Sequence, residues 1–184
     1  MSYPPQANPH IETMFEASVS GRIFQGIPMG AISTFTLAID TLYGTPLFVA
    51  RRKSFSHIGI HVATLEAGKG ARLGVFKMGA DRLPAELIVD AGVADLTLAV
   101  SVEKALAPLI LERGWYVPAL VSDATGTAQL RSFQRAWSPW GWGSGLNIAN
   151  QMYSKAQAYG ALPDPFGVGA FGDYDTIYIG LREA

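Results

Sequence analysis

Between residues 18 and 136 the chain repeats one pattern, a short run of β-branched, aromatic and aliphatic residues closed by Gly, Pro or Asp and then begun again. The clearest run is Phe55-Ser56-His57-Ile58-Gly59-Ile60-His61-Val62, in which Ile58, Ile60 and Val62 fall on one face and His57, Gly59 and His61 on the other. A period of two belongs to a strand with one buried face. Ser20-Gly21-Arg22-Ile23-Phe24 and Ala31-Ile32-Ser33-Thr34-Phe35-Thr36-Leu37 predict two strands before it, and 42–50 is extended. After it, 71–76, 87–92 and Trp115-Tyr116-Val117-Pro118-Ala119-Leu120-Val121 each predict a strand. Pro118 cannot donate to a ladder, so it is expected at an edge or a bulge. Residues 98–111 suit strand better than helix because Pro108 breaks a helical reading. Residues 66–70 and 78–83 are turn chemistry, and Thr176-Ile177-Tyr178-Ile179-Gly180-Leu181 predicts a last strand. Strands spaced by about 8–12 residues with turns between them are the signature of a sandwich or barrel.

The two ends of the chain read differently. Residues 1–17 carry Pro4, Pro5 and Pro9 among polar residues and predict an extended arm, and Met1-Ser2-Tyr3-Pro4-Pro5 lacks the basic start and apolar core of a signal peptide. After Gln129, Trp137, Trp140 and Trp142 sit among Pro139, Gly141, Gly143 and Gly145, and residues 148–158 predict one short helix. Pro163, Pro165, Gly167, Gly169 and Gly172 make the next stretch an irregular loop. A loop of that length inside a domain is a packed excursion or a contact surface for another subunit. The expected domains are an arm over 1–17 and a β-sandwich domain over 18–184, with a Trp/Gly-rich excursion at 137–175.

Composition removes several function classes. With no cysteine the chain has no disulfide framework, thiol nucleophile, zinc ribbon or iron-sulfur cluster. Fourteen basic against fifteen acidic residues leave no electrostatic footprint for nucleic acid or an anionic membrane. The longest apolar stretches are broken well short of the ~20 residues that span a bilayer. Only 16% of residues are charged, below the ~25% of ordinary domains. So neutral a surface points to burial in an assembly ahead of the alternative, a monomer with a polar, Ser/Thr/Gly-rich skin.

Five segments resemble, in order and spacing, a recurrent domain of bacteriophage and gene-transfer-particle structural proteins. They are Thr41-Leu42-Tyr43-Gly44-Thr45-Pro46-Leu47-Phe48-Val49, Phe55-Ser56-His57-Ile58-Gly59-Ile60, Arg72-Leu73-Gly74-Val75-Phe76, Leu87-Ile88-Val89-Asp90-Ala91-Gly92, and 109–120. The resemblance covers roughly residues 41–131, about half the chain. The family's Pro-Gly before the aromatic strand is Arg113-Gly114 here, so its glycine is kept and its proline is absent. The resemblance implies a virion protein of a tail fibre, head or neck fibre, or spike, often a homotrimer, assembled in the bacterial cytoplasm. It would bind other capsid, neck or tail proteins and contribute to host attachment. The family brings no catalytic residues, and none are carried over. The expected fold is therefore mainly β, an antiparallel, jelly-roll-like β-sandwich with an extended N-terminal arm and a loop-rich, partly helical C-terminal excursion.

Catalytic and metal chemistry find little to work with. On a strand, His57 and His61 stand about 13 Å apart at Cα and cannot chelate one ion together. Asp81, Asp90 and Asp95 sit in turn-like contexts, where capping explains them. Neither a Gly-x-Ser-x-Gly elbow nor a phosphate-binding loop occurs, and Arg51-Arg52-Lys53 reads as a solvated corner between strands. The expectation is a non-enzyme without metal or cofactor. Three indoles among glycines need a cover, either an intersubunit seam, a cap over the sandwich end, or a sugar. Trp137, Trp140, Trp142 and Tyr153 are accordingly the candidate ligand-binding or subunit-interface residues. The alternative function is a carbohydrate-binding module that recognises host surface glycan through its tryptophans, and a glycosidase or esterase ranks last.

Overall fold

The computed structural model describes residues 23–24, 31–133, 152–167, 169–172 and 175–184. Their strands, in chain order, are β1 (Ile23–Phe24), β2 (Ile32–Thr36), β3 (Thr41–Gly44), β4 (Leu47–Val49), β5 (Lys53–Thr64), β6 (Gly70–Met78) and β7 (Pro84–Asp95). Then follow β8 (Ser101–Leu111), β9 (Gly114–Ser122), β10 (Gln129–Phe133), β11 (Met152–Ala156), β12 (Ala170–Gly172), β13 (Thr176–Ile177) and β14 (Ile179–Glu183). The protein is mainly β, with two antiparallel sheets of seven strands each among the described residues, consistent with a β-sandwich.

The long strand β5 organises the first sheet. β8 runs along one side of it, while β14 and then β10 pair along the other. β1 extends the sheet beyond β14, β2 extends it beyond β10, and β13 also pairs with β10. The second sheet has the order β12-β11-β3-β9-β6-β7, and β4 resumes pairing with β9 where β3 ends. The period of two read from the sequence holds in β5: Ile58, Ile60 and Val62 are buried, and His57, Gly59 and His61 face outward, partly exposed. The inward side chains of β5 join Leu73 and Val75 of β6, Tyr116 and Leu120 of β9, and Ile179 and Leu181 of β14 in the principal core.

A second apolar cluster holds Leu42, Phe76, Val117, Ala119, Val121 and Tyr153, together with Leu162 and Phe166. β9 is therefore buried along both faces from Tyr116 to Ser122, which is why its sequence is apolar without alternation. Residues 163–167, expected as part of an irregular loop, lie in a segment packed against this sheet, and Ala170–Gly172 is a strand.

Several local expectations are corrected. Met152–Ala156, part of the stretch expected to be helical, is β11, paired with β3 on one side and β12 on the other. Two available strand edges decide a short apolar run that periodicity alone leaves ambiguous. Pro118 lies in β9 between β6 and β3/β4, not at an edge. Its carbonyl accepts from Thr45 N at 2.9 Å, so its missing donor faces the break between β3 and β4, where no ladder bond is lost. Asp90 lies within β7 at a register shift opposite Leu73 and Gly74, with Gly92 at φ 80°. That is a β-bulge rather than a turn. Lys53 is no solvated corner residue: it is buried, with Nζ 3.2 Å from Glu183 Oε2, whereas Arg51 and Arg52 are exposed. Asp81 and Asp95 cap turns as expected, accepting from Leu83 N at 3.1 Å and Thr97 N at 2.8 Å. The N-terminal arm over 1–17 and residues 134–151 lie outside the described residues.

Candidate functional site

The outer face of the second sheet is closed by the chain itself. The segment 157–167 crosses it, anchored where Asp40 Oδ1 accepts from Tyr159 N (2.8 Å), Asp164 Oδ1 from Leu87 N (3.1 Å) and Ala85 O from Phe166 N (2.9 Å). Phe166 meets Phe76 edge to face at 5.0 Å and Tyr153 at 6.4 Å, a geometry that aromatic pairs favour. Lys155 Nζ donates to Phe166 O and lies 5.7 Å from its ring centre. Leu162 rests on Gly74, where a Cβ would come within 2.3 Å of Leu162 Cδ1 and 2.6 Å of Val89 O. Beside it Arg72 Nε donates to both oxygens of Asp90, at 2.9 and 2.7 Å, and Asp90 Oδ1 also accepts from Gly92 N at 3.0 Å. Two of the five segments singled out in the sequence therefore lock onto one another through their Arg and Asp.

Among the described residues, no segment crosses the outer face of the first sheet. Side chains of β5, β8, β10 and β2, with Tyr178 between β13 and β14, line an open cleft of about 350 Å³ formed by Ile32, His61, Ser101, Arg131, Phe133 and Tyr178. Strand alternation puts them there. Leu130 and Ser132 turn inward, so Arg131 and Phe133 turn outward, and the same rule sends His61 outward from β5. Tyr178 is fixed by its N–H donating to Arg131 O at 2.9 Å and by Phe133, whose ring centre is 6.2 Å away. Burial raises the Tyr178 pKa, and the Glu103 carboxylate raises it further, so the phenol is neutral at physiological pH.

A smaller hollow, sharing Ser101 and Tyr178 with the cleft, lies over Gly59 and Gly180, which stand opposite each other across β5 and β14. A Cβ on Gly59 would come 3.1 Å from both Glu103 Cγ and Val102 O, so glycine there lets Glu103 lie across the strand. At the far end Arg182 Nη2 contacts Glu103 Oε2 at 3.1 Å and His57 Nδ1 at 2.6 Å. His61 lines the cleft, with its Nδ1 2.9 Å from Ser101 Oγ. His57 and His61 thus serve different partners. Among the described residues no three His, Asp or Glu side chains converge on a point that could hold a metal ion.

Of the residues expected to bind a ligand or subunit, Trp137, Trp140 and Trp142 lie outside the described residues. Tyr153 is fully buried in the cluster behind the second sheet, where its hydroxyl donates to Arg82 O and burial pushes its pKa far above the usual phenol value. The cleft residues Ser101, Arg131, Phe133 and Tyr178 were not singled out from the sequence. The alternation of Gln129-Leu130-Arg131-Ser132-Phe133 is the signal that could have found them. No helix of the described residues is long and apolar enough to cross a membrane. Neither a protein-family model nor a curated protein matches this chain.

Proposed function

We propose that this protein is a non-enzymatic structural subunit of a phage or phage-like particle, a jelly-roll-like sandwich that assembles as a homotrimer. Within a fibre, spike or decoration it contacts other capsid, neck or tail proteins and contributes to host-surface adsorption. The observation that carries this reading is the convergence of the five family-like segments. Those of β3/β4, β6, β7 and β9 are neighbours in one sheet, the fifth runs along β5 across the core, and Arg72 and Asp90 join two of them. Such convergence makes the resemblance one of a packed unit rather than of scattered strings. The low charge of the chain suits a surface shared among subunits.

Size-exclusion chromatography with light scattering on the full chain at micromolar concentration tests the proposal. A closed oligomer of three subunits is expected. A strictly monomeric species would overturn the assembly reading.

A further inference from the structure

The cleft on the first sheet combines aromatic walls with a cation that has no side-chain partner among the described residues. Arg131 turns outward from β10 and has no side-chain hydrogen bond or ion pair among the described residues, whereas the other nearby guanidinium, Arg182, is neutralised by Glu103 at 3.1 Å. The Arg131 end is therefore the electropositive end of the groove, ready for one bidentate carboxylate. Tyr178, Ser101 and His61 also line the groove, and their hydroxyls and imidazole can bond hydroxyl groups. Phe133 and Tyr178 give a wall on which the C–H face of a sugar ring can lie, and Ile32, 65% exposed, extends its apolar rim. Beside the cleft, Gly59 makes room for Glu103 to lie across β5, and the small hollow over Gly59 and Gly180 extends the groove toward Arg182. A single unpaired cation with Glu103 close by suits one carboxylate better than a phosphate or a polyanion.

We propose that this outer face binds a carboxylate-bearing oligosaccharide, with Arg131 on the carboxylate, Tyr178 and Phe133 against a ring, and Ser101 and His61 on hydroxyls. The site is built from one chain, so it goes beyond the particle assignment and does not require it. The proposed contacts include none of Trp137, Trp140 and Trp142.

Titration of the full chain with trigalacturonate and with sialyllactose, using lactose as the neutral control, tests it by calorimetry. At least one acidic sugar is expected to bind, with lactose weaker by about tenfold. Arg131→Ala should weaken acidic binding about tenfold or more, Arg131→Lys should lose less, and Tyr178→Ala should weaken whatever binding remains. Trp140→Ala should leave affinity unchanged. Circular dichroism and the unfolding midpoint of each variant separate loss of binding from loss of fold. Absence of binding to either acidic sugar would overturn the proposal, as would binding that survives Arg131→Ala but is lost in Trp140→Ala. Hydrogen exchange supplies the other check: slowing at 101–103 and 131–133 is expected only with sugar. Slowing that grows with protein concentration in its absence would give the face to a second copy and sink the idea. A trimer that binds no acidic sugar would leave the assembly reading standing and remove this one alone.

Discussion

Val117, Ala119 and Val121 point away from the principal core of the second sheet, just as His57, Gly59 and His61 do in the first. In the second sheet these outward positions are apolar and lie beneath Leu162 and Phe166 from the segment 157–167. In the first they are histidine and glycine, and His61 joins Arg131 and Tyr178 around an open cleft. The same backbone geometry therefore serves two purposes. A strand buried on both sides depends on a cover supplied from elsewhere in the chain, and a half-buried strand leaves a face for something outside. Among the described residues, the contrast sets a cover made by the chain itself behind the second sheet against an open cleft on the first.

The largest expected effect breaks the cover. Phe166→Ala removes the ring that meets Phe76 and Tyr153 and should destabilise the protein by about 3–5 kcal/mol in chemical denaturation. A loss comparable to that of an exposed substitution would show that the segment 157–167 does not cover the sheet in solution.

A smaller effect concerns the link between the two sheets at one end of the sandwich. Glu66, just after β5, accepts from Thr125 N and Oγ1 at 2.9 and 2.5 Å, and from Thr127 N and Ala128 N at 3.1 and 2.9 Å, in the loop between β9 and β10. The Thr125 hydroxyl above all, and then the backbone donors, hold its pKa at about 2 instead of 4.5. The folded form thus favours the carboxylate. Its contribution is complete above pH 4.5 and is lost as pH falls from 4.5 toward 2. Glu66→Gln should lower the melting temperature by a few degrees at neutral pH and flatten its decline across that acid window. Parallel melting curves for the two proteins over this range would rule the clamp out.

The smallest effect sharpens the contrast from the open side. Arg131→Ala should shift the unfolding free energy by less than about 0.5 kcal/mol, since its side chain supports nothing among the described residues. A large loss there would mean that the first sheet also depends on its outer face.

Much of this contrast was written in the order of residues. The alternation through β5 gave its buried face, the apolar run through β9 gave a strand, and Asp81 and Asp95 cap the turns they were expected to cap. What could not be read were features that depend on distant partners. Gly74 is small because Leu162 presses on it, and Asp90 looks like a turn residue until Arg72 is placed beside it. Lys53 reads as solvated until Glu183 meets it from β14. Tyr153 was grouped with Trp137, Trp140 and Trp142 as a candidate contact residue, and only its place under Phe166 shows its ring packed inside the chain.

By itself the sequence determined the strand-rich class, the inward face of β5 and the absence of thiol chemistry, because periodicity and composition are local properties that no neighbour can change. Only the tertiary structure decided which outer face is covered, that residues 152–156 pair as a strand, and that Arg131, Tyr178 and Ser101 share a cleft. Those outcomes rest on pairing and packing between segments far apart in the chain. A one-dimensional pattern records that a position is apolar or polar, and it does not record which side chain will arrive to meet it.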